Sequence, residues 1–311
     1  MPWFGLYLPQ VRMPWERIVE RAQAAEAAGF DSLWLMDHLV APQAPEGRAG
    51  GGADRRGGEA VSAHAFDTYE GWTAAAALAA CTSTIRIGHL VLCDPFRHPV
   101  LLAKMAATLD VISSGRLDLG IGWGSVPDEL RAFGFGEDAP ALRAARLRET
   151  LEILQRMFAG EPFDYDATDF QVRGAIGRPV PVQPRLPVHI GGGGARLTMP
   201  LVREFADWWN CPGYALDRLD RLRPLAGDAR VSTQHPVGLA ASAADRDDVT
   251  ATTHRRFGSW GGVFAGTADE VAAALAREVD AGVEGFVLQF SDFGKPATLE
   301  RFMFDVAPRL T

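Results

Sequence analysis

Thr267-Ala268-Asp269-Glu270-Val271 and, further on, Gly282-Val283-Glu284-Gly285-Phe286-Val287-Leu288-Gln289-Phe290 bracket one complete helix–strand unit. Thr267 followed three residues later by Glu270 is a capping box, in which each side chain satisfies a backbone N–H of the first helical turn. Val271, Leu275 and Val279 then recur on one helical face, and Gly282 stops the helix. Gly285 to Phe290 is apolar almost throughout, as expected of a strand covered on both faces in a parallel sheet.

The same unit repeats back toward the N-terminus. Trp3 to Leu8 reads as a strand, and Trp15 to Ala28 as a helix with Ile18, Ala22 and Ala25 in register, ended by Gly29. Further strands are expected at Ser32–Met36, Ile85–Leu92, Leu117–Ile121, Val188–Ile190 and Trp208–Asn210, with a seventh within Val231–Ala240 that Pro236 weakens. Between them lie helical patterns at Tyr69–Ala80, Val100–Ile112, a long region after Pro127, Ala195–Phe205 and Leu216–Leu225, and Leu299–Val306 closes the series. Eight such units favour a closed barrel over an open doubly wound sheet. The expected fold is therefore α/β, a (β/α)8 TIM barrel forming a single domain over residues 1–311. Two connections are too long for plain turns and read as insertions after strand 2 and before strand 5. Residues 41–67, rich in Gly, Pro and Arg, leave the second strand where a lid would stand, or form a disordered surface insertion; residues 160–187 carry several prolines and little periodicity.

Composition narrows the function. The chain has 311 residues, 47% hydrophobic and 23% charged, enough to bury a large core without disulfides or metals. A net charge of −8, with no run of five basic residues, argues against a nucleic-acid or membrane-surface partner. The N-terminal residues lack a secretory pattern and no stretch reaches the roughly 18 apolar residues of a membrane span, so a cytoplasmic protein is expected. Cys81, Cys93 and Cys211 are far apart and odd in number, which suits a reducing compartment.

Asp37-His38 follows the second strand, where a barrel places side chains over its mouth; the imidazole suits proton transfer near neutral pH and the adjacent carboxylate is a candidate to orient it. Gly191-Gly192-Gly193-Gly194 follows the fifth strand and opens the helix expected from Ala195. Successive N–H groups there suit a phosphate, with Arg196 adding charge. A flexible turn is the plainer alternative. Gly120-Ile121-Gly122-Trp123-Gly124 fails the dinucleotide fingerprint, because its third glycine comes one position early; it suits the approach of a flat ring, with Trp123 as a wall, or simple packing. No HxxxH or HExxH spacing supports a metal, and Ser62, Ser125 and Ser259 lack a GxSxG elbow.

Phe4-Gly5-Leu6-Tyr7-Leu8-Pro9-Gln10, Ala27-Ala28-Gly29-Phe30-Asp31-Ser32-Leu33-Trp34, Asp37-His38 and Arg97-His98-Pro99 together resemble the bacterial luciferase-like superfamily. So do Asp110-Val111-Ile112-Ser113-Ser114-Gly115-Arg116-Leu117 and the glycine run at Gly191. The resemblance implies a barrel that binds the deazaflavin coenzyme F420 or reduced FMN at its C-terminal mouth, usually as a homodimer. Leu102-Ala103-Lys104 and Asp207-Trp208-Trp209-Asn210 are closer to members called F420-dependent. On that basis His38 is the catalytic histidine, Leu90-Val91 is a bulge with a non-proline cis peptide behind the ring, and Gly191 to Ala195 bind phosphate. Ser125 stands where sugar-phosphate-oxidising relatives keep Glu, which argues against glucose 6-phosphate. F420 implies hydride transfer to or from a small organic substrate; FMN implies insertion of one oxygen atom, with a partner reductase. A non-catalytic scaffold subunit is a third reading.

Overall fold

The computed structural model describes residues 1–41, 55–56, 59–60, 66–136 and 138–310. The lid reading of the segment after the second strand falls almost entirely outside them.

Eight strands close on themselves. They are β1 (Trp3–Tyr7), β2 (Ser32–Leu35), β3 (Arg86–His89), β4 (Leu117–Gly122), β5 (Val188–Gly191), β6 (Trp208–Cys211), β7 (Arg230–Leu239) and β8 (Gly285–Phe290). Every neighbouring pair is parallel, and β8 returns to β1 through Phe4↔Phe286 and Leu6↔Leu288. This is the expected (β/α)8 barrel. Around it stand α1 (Trp15–Ala28), α2 (Gly71–Ala80), α3 (Pro99–Ile112), α4 (Pro127–Ala132), α5 (Pro140–Ala159), α6 (Thr198–Phe205), α7 (Leu219–Leu222), α8 (Arg246–Phe257), α9 (Ala268–Asp280) and α10 (Pro296–Arg301). No described helix is long and apolar enough to cross a membrane.

Alternation along each strand sorts the side chains. Phe4, Leu6, Leu33, Leu35, Ile87, Leu119, Ile121 and Leu288 join Ile18, Leu78, Leu102, Leu147, Val202 and Leu275 in one core between barrel and helices. The interior holds an aromatic plug instead. Trp3 packs on Trp34 and Trp208 with ring centroids 6.0 and 5.4 Å apart, and His189 lies parallel to Trp208. Space for these rings comes from missing side chains opposite: a Cβ on Gly88 would sit 2.6 Å from Trp34, and one on Gly285 would sit 2.1 Å from Trp3. Below them Asp118 takes both Nε and Nη2 of Arg86 at 2.8 Å.

Several expected elements shift. The capping box at Thr267 is present in full. The helix expected from Ala195 begins at Thr198, because the glycine run continues as a turn through Leu197. Leu216–Leu225 is a chain of 3-10 turns around α7, and the last helix ends at Arg301 before a π turn over Phe302–Val306. The insertion before β5 contains an antiparallel hairpin, Phe163–Asp166 with Gln171–Ala175. Pro236 is tolerated in β7 because it falls between the β6 register, which ends at Thr233, and that of Phe264–Gly266, which starts at Val237.

Candidate active site

The C-terminal ends of six strands surround a cavity of about 550 Å³. Its walls are Asp37 and His38 after β2, Leu90 to Cys93 after β3, Gly122 to Val126 with Glu129 and Leu130 after β4, and Gly191 to Gly194 with Thr198 after β5. Asn210, Pro212, Tyr214 and, from within β7, Gln234 complete them. His38, Leu90, Val91, Gly122, Trp123 and the four glycines are thus brought together as the sequence suggested.

The third wall is a bulge. Gly88 pairs with Asp118 and Leu92 with Ile121, so four residue steps on one strand face three on the other. The extra residue displaces the Leu90–Val91 peptide, which is cis, toward the cavity. Gly122 lies against it: a Cβ there would meet Val91 Cγ2 at 2.8 Å, so only glycine lets the two strands close at this point.

Asp37 does not orient His38. Its carboxylate takes Arg97 Nη1 and Nη2 at 2.7 and 2.9 Å and the N–H of Cys93 at 2.8 Å, tying β2 to the bulge. Arg97 continues to Glu70, which also caps α2 through the N–H groups of Trp72 and Thr73. Burial works against ionisation of Glu70, but the hydrogen bonds from Thr73 and Trp72 and the Arg97 charge outweigh it and bring its pKa down to about 2. The group on His38 is Glu129, absent from the sequence reading. Its Oε2 is 2.8 Å from His38 Nδ1, while Oε1 accepts the N–H groups of Leu39 and Val40 at 2.7 and 3.3 Å. Pro127-Asp128-Glu129 looks in sequence like an ordinary acidic first turn, and nothing in its spacing points to a residue 91 positions earlier.

The glycine run is held by its carbonyls and by the Gly192 N–H, which donates to Asn210 O at 3.2 Å, leaving the donors of Gly193 and Gly194 available. Trp209 Nε1 donates to Gly192 O at 2.9 Å and Arg218 Nη1 to Gly193 O at 3.3 Å. The N–H groups of Gly193, Gly194, Ala195, Arg196 and Leu197 donate to nothing among the described residues. Gly193 is required sterically, since a Cβ would lie 2.5 Å from that of Ala215. The side chains of Ala195 and Arg196 are exposed and outside the cavity wall, so the guanidinium on this loop is that of Arg218. Trp123 is fixed from two sides: Nε1 donates to Thr198 Oγ1 at 3.3 Å, and the Arg143 guanidinium lies 5.3 Å from its ring. Thr198 was missed because it follows the glycine run as an unremarkable helical residue. Burial, then the carboxylates of Asp37, Asp94 and Glu129, push the Cys93 thiol up and keep it neutral.

Residues 4–225 match the luciferase-like monooxygenase family. An uncharacterized protein of Mycobacterium tuberculosis is 31% identical over 194 residues, covering 60% of this chain and 64% of that protein. The F420-dependent glucose-6-phosphate dehydrogenase of Microbacterium testaceum is 35% identical over 175 residues, 56% of this chain and 46% of that one. The chain thus spans less than two thirds of these relatives. The oxygenating constituent of 3,6-diketocamphane monooxygenase from Pseudomonas putida, solved with FMN, superposes with a TM-score of 0.72 at 17% identity, over 100% of this chain and 99% of that one. A parallel barrel with its cavity at the strand C-termini, together with a family match over most of its length, makes this chain a member of the luciferase-like monooxygenase family.

Proposed function

We propose that the chain is an F420-dependent oxidoreductase that transfers a hydride to or from a small organic substrate. The observation that carries this reading is a single cavity joining His38 to the unpaired N–H donors of the glycine run. Those donors suit the phosphate end of a cofactor. The walls at Leu90, Val91 and Gly122 offer a flat apolar surface for a ring, and a cavity of about 550 Å³ is of the size that holds one. The fit is therefore good for a flavin-type group. When bound in reduced form, F420 supplies a hydride.

The chain's residues do the rest. Gly193 and Gly194 would hold the phosphate through backbone donors, and Trp123, locked by Thr198 and Arg143, would limit how the substrate lies. Leu130, Val126 and Tyr214 line the cavity on the α4 and β6 sides and add apolar surface to it. His38, with Nδ1 engaged by Glu129, would exchange the accompanying proton at Nε2. Among the described residues the wall carries no Lys or Arg, and position 125 is a serine, which favours an uncharged substrate over a sugar phosphate. The relative named F420-dependent supports the cofactor.

A second reading is a monooxygenase using reduced FMN from a partner reductase, favoured by the FMN-bound structural neighbour. Anaerobic incubation with reduced F420 and a panel of uncharged ketones and unsaturated compounds separates the two. Oxidation of F420 without oxygen supports hydride transfer; turnover that needs FMN and oxygen overturns it. We further propose a single-domain cytoplasmic homodimer. Three free cysteines support the compartment, and Leu101, Val111 and Ile112, exposed on α3 beside a groove lined by Trp72, Met105 and Leu109, support self-association.

A further inference from the structure

We propose that Glu129 is the positioning residue of the site and that it fixes His38 in one tautomer, with the proton on Nδ1 and the lone pair on Nε2. The proposal rests on the reading of His38 as the proton-exchanging group. A carboxylate only accepts, so the 2.8 Å contact from Oε2 requires Nδ1 to carry hydrogen. The other oxygen is committed elsewhere, to the N–H groups of Leu39 and Val40. Three donors from three consecutive residues therefore converge on one buried carboxylate, whose side chain is 5% exposed. That arrangement fixes the backbone after β2 and the ring in a single step, and the ring is left with Nε2 as its acceptor.

Among the described residues no neighbouring group competes for this task. Asp37 is held by Arg97 and Cys93, Glu70 by Arg97 and the start of α2, and the Cys93 thiol is neutral. On the exposed side of α4, Asp128 pairs with Arg131. An ionised carboxylate also favours the imidazolium that forms when Nε2 takes a proton, so the same contact serves both halves of a proton exchange.

Glu129→Gln separates this role from simple packing. The amide keeps the shape, and its oxygen still accepts from Leu39 and Val40, but its NH2 group then faces Nδ1. Two donors cannot share that contact, so the ring must present Nδ1 as an acceptor and carry its hydrogen on Nε2. The readout is two-dimensional ¹H–¹⁵N correlation of ring-labelled histidine at about pH 8.5, where an ordinary imidazole is neutral; the His38 signals among the seven histidines are assigned by their loss in His38→Ala. Wild type is expected to show a protonated Nδ1 and an imine-type Nε2, Glu129→Asp to keep that pattern, and Glu129→Gln to invert it. Turnover of Glu129→Gln is expected to fall roughly 10- to 100-fold with cofactor affinity unchanged. A wild-type His38 protonated on Nε2, which requires no variant to fold, overturns the proposal, as does an unchanged tautomer in Glu129→Gln. An inverted tautomer with full turnover upholds Glu129's control of the ring and instead removes His38 from the chemistry.

Discussion

The Asp37–Arg97 pair offers a direct test of how the site is supported. Its side chains are 1% and 10% exposed, and two hydrogen bonds of 2.7 and 2.9 Å join them. Among the described residues, Arg97→Met removes the only cation on a buried carboxylate and leaves it with the Cys93 N–H alone. Breaking such a pair from one side costs about 3–5 kcal/mol. Asp37→Asn is milder, about 1–3 kcal/mol, because Arg97 keeps Glu70 and the amide oxygen still accepts from Cys93. In the double variant the uncompensated charge is gone, so its loss falls short of the sum by at least about 2 kcal/mol. Urea unfolding at pH 7, followed by tryptophan fluorescence, measures all four corners of the cycle. Single losses under about 0.5 kcal/mol, or strict additivity, would refute the view of Asp37 as a strut between β2 and the bulge. Asp37→Asn protein that remains stable yet loses all turnover would restore it as a reacting group.

Asp94, just beyond the bulge, is 1% exposed, and Arg146 Nε stands 3.5 Å away, so burial dominates over its partial partners Thr150 and Arg146 and its pKa rises from 3.8 to about 6. The folded state thus holds the proton more tightly than the unfolded chain, and stability falls as pH rises from about 4 to 6, by at most about 3 kcal/mol, before levelling off. Asp94→Asn is expected to raise the urea midpoint at pH 8 and hardly at all at pH 4; a loss of stability at pH 8 would contradict this. His38→Ala is expected to lower turnover about 100-fold or more while leaving cofactor affinity nearly unchanged. Steady-state kinetics beside a binding titration check it, and retained turnover would count against the assignment.

The barrel was legible because its repeating unit is written locally: an apolar helical face followed by an apolar strand recurs around the sheet, and at Thr267 a capping box marks the helix start as well. α8 escaped notice because it hardly touches the core; only Thr253 and Phe257 of its twelve residues are buried, so no apolar period marks it. The site divides along the same line. His38, the glycine run and the bulge follow strands directly, so their place at the mouth follows from the topology. Sequence adjacency misled at Asp37, since neighbours after a strand end point apart, and the true partner of His38 arrives from α4 through the barrel's closure. Thr198 and Gln234 owe their place in the wall to that closure as well, and no local pattern announces them.

The central claim is that the cavity receives a deazaflavin. Parallel equilibrium titrations of the purified protein with F420 and FMN, each oxidised and reduced, test it most directly. The account predicts saturable F420 binding, tighter than FMN in both redox states; tighter binding of reduced FMN, or no binding of either, would contradict it.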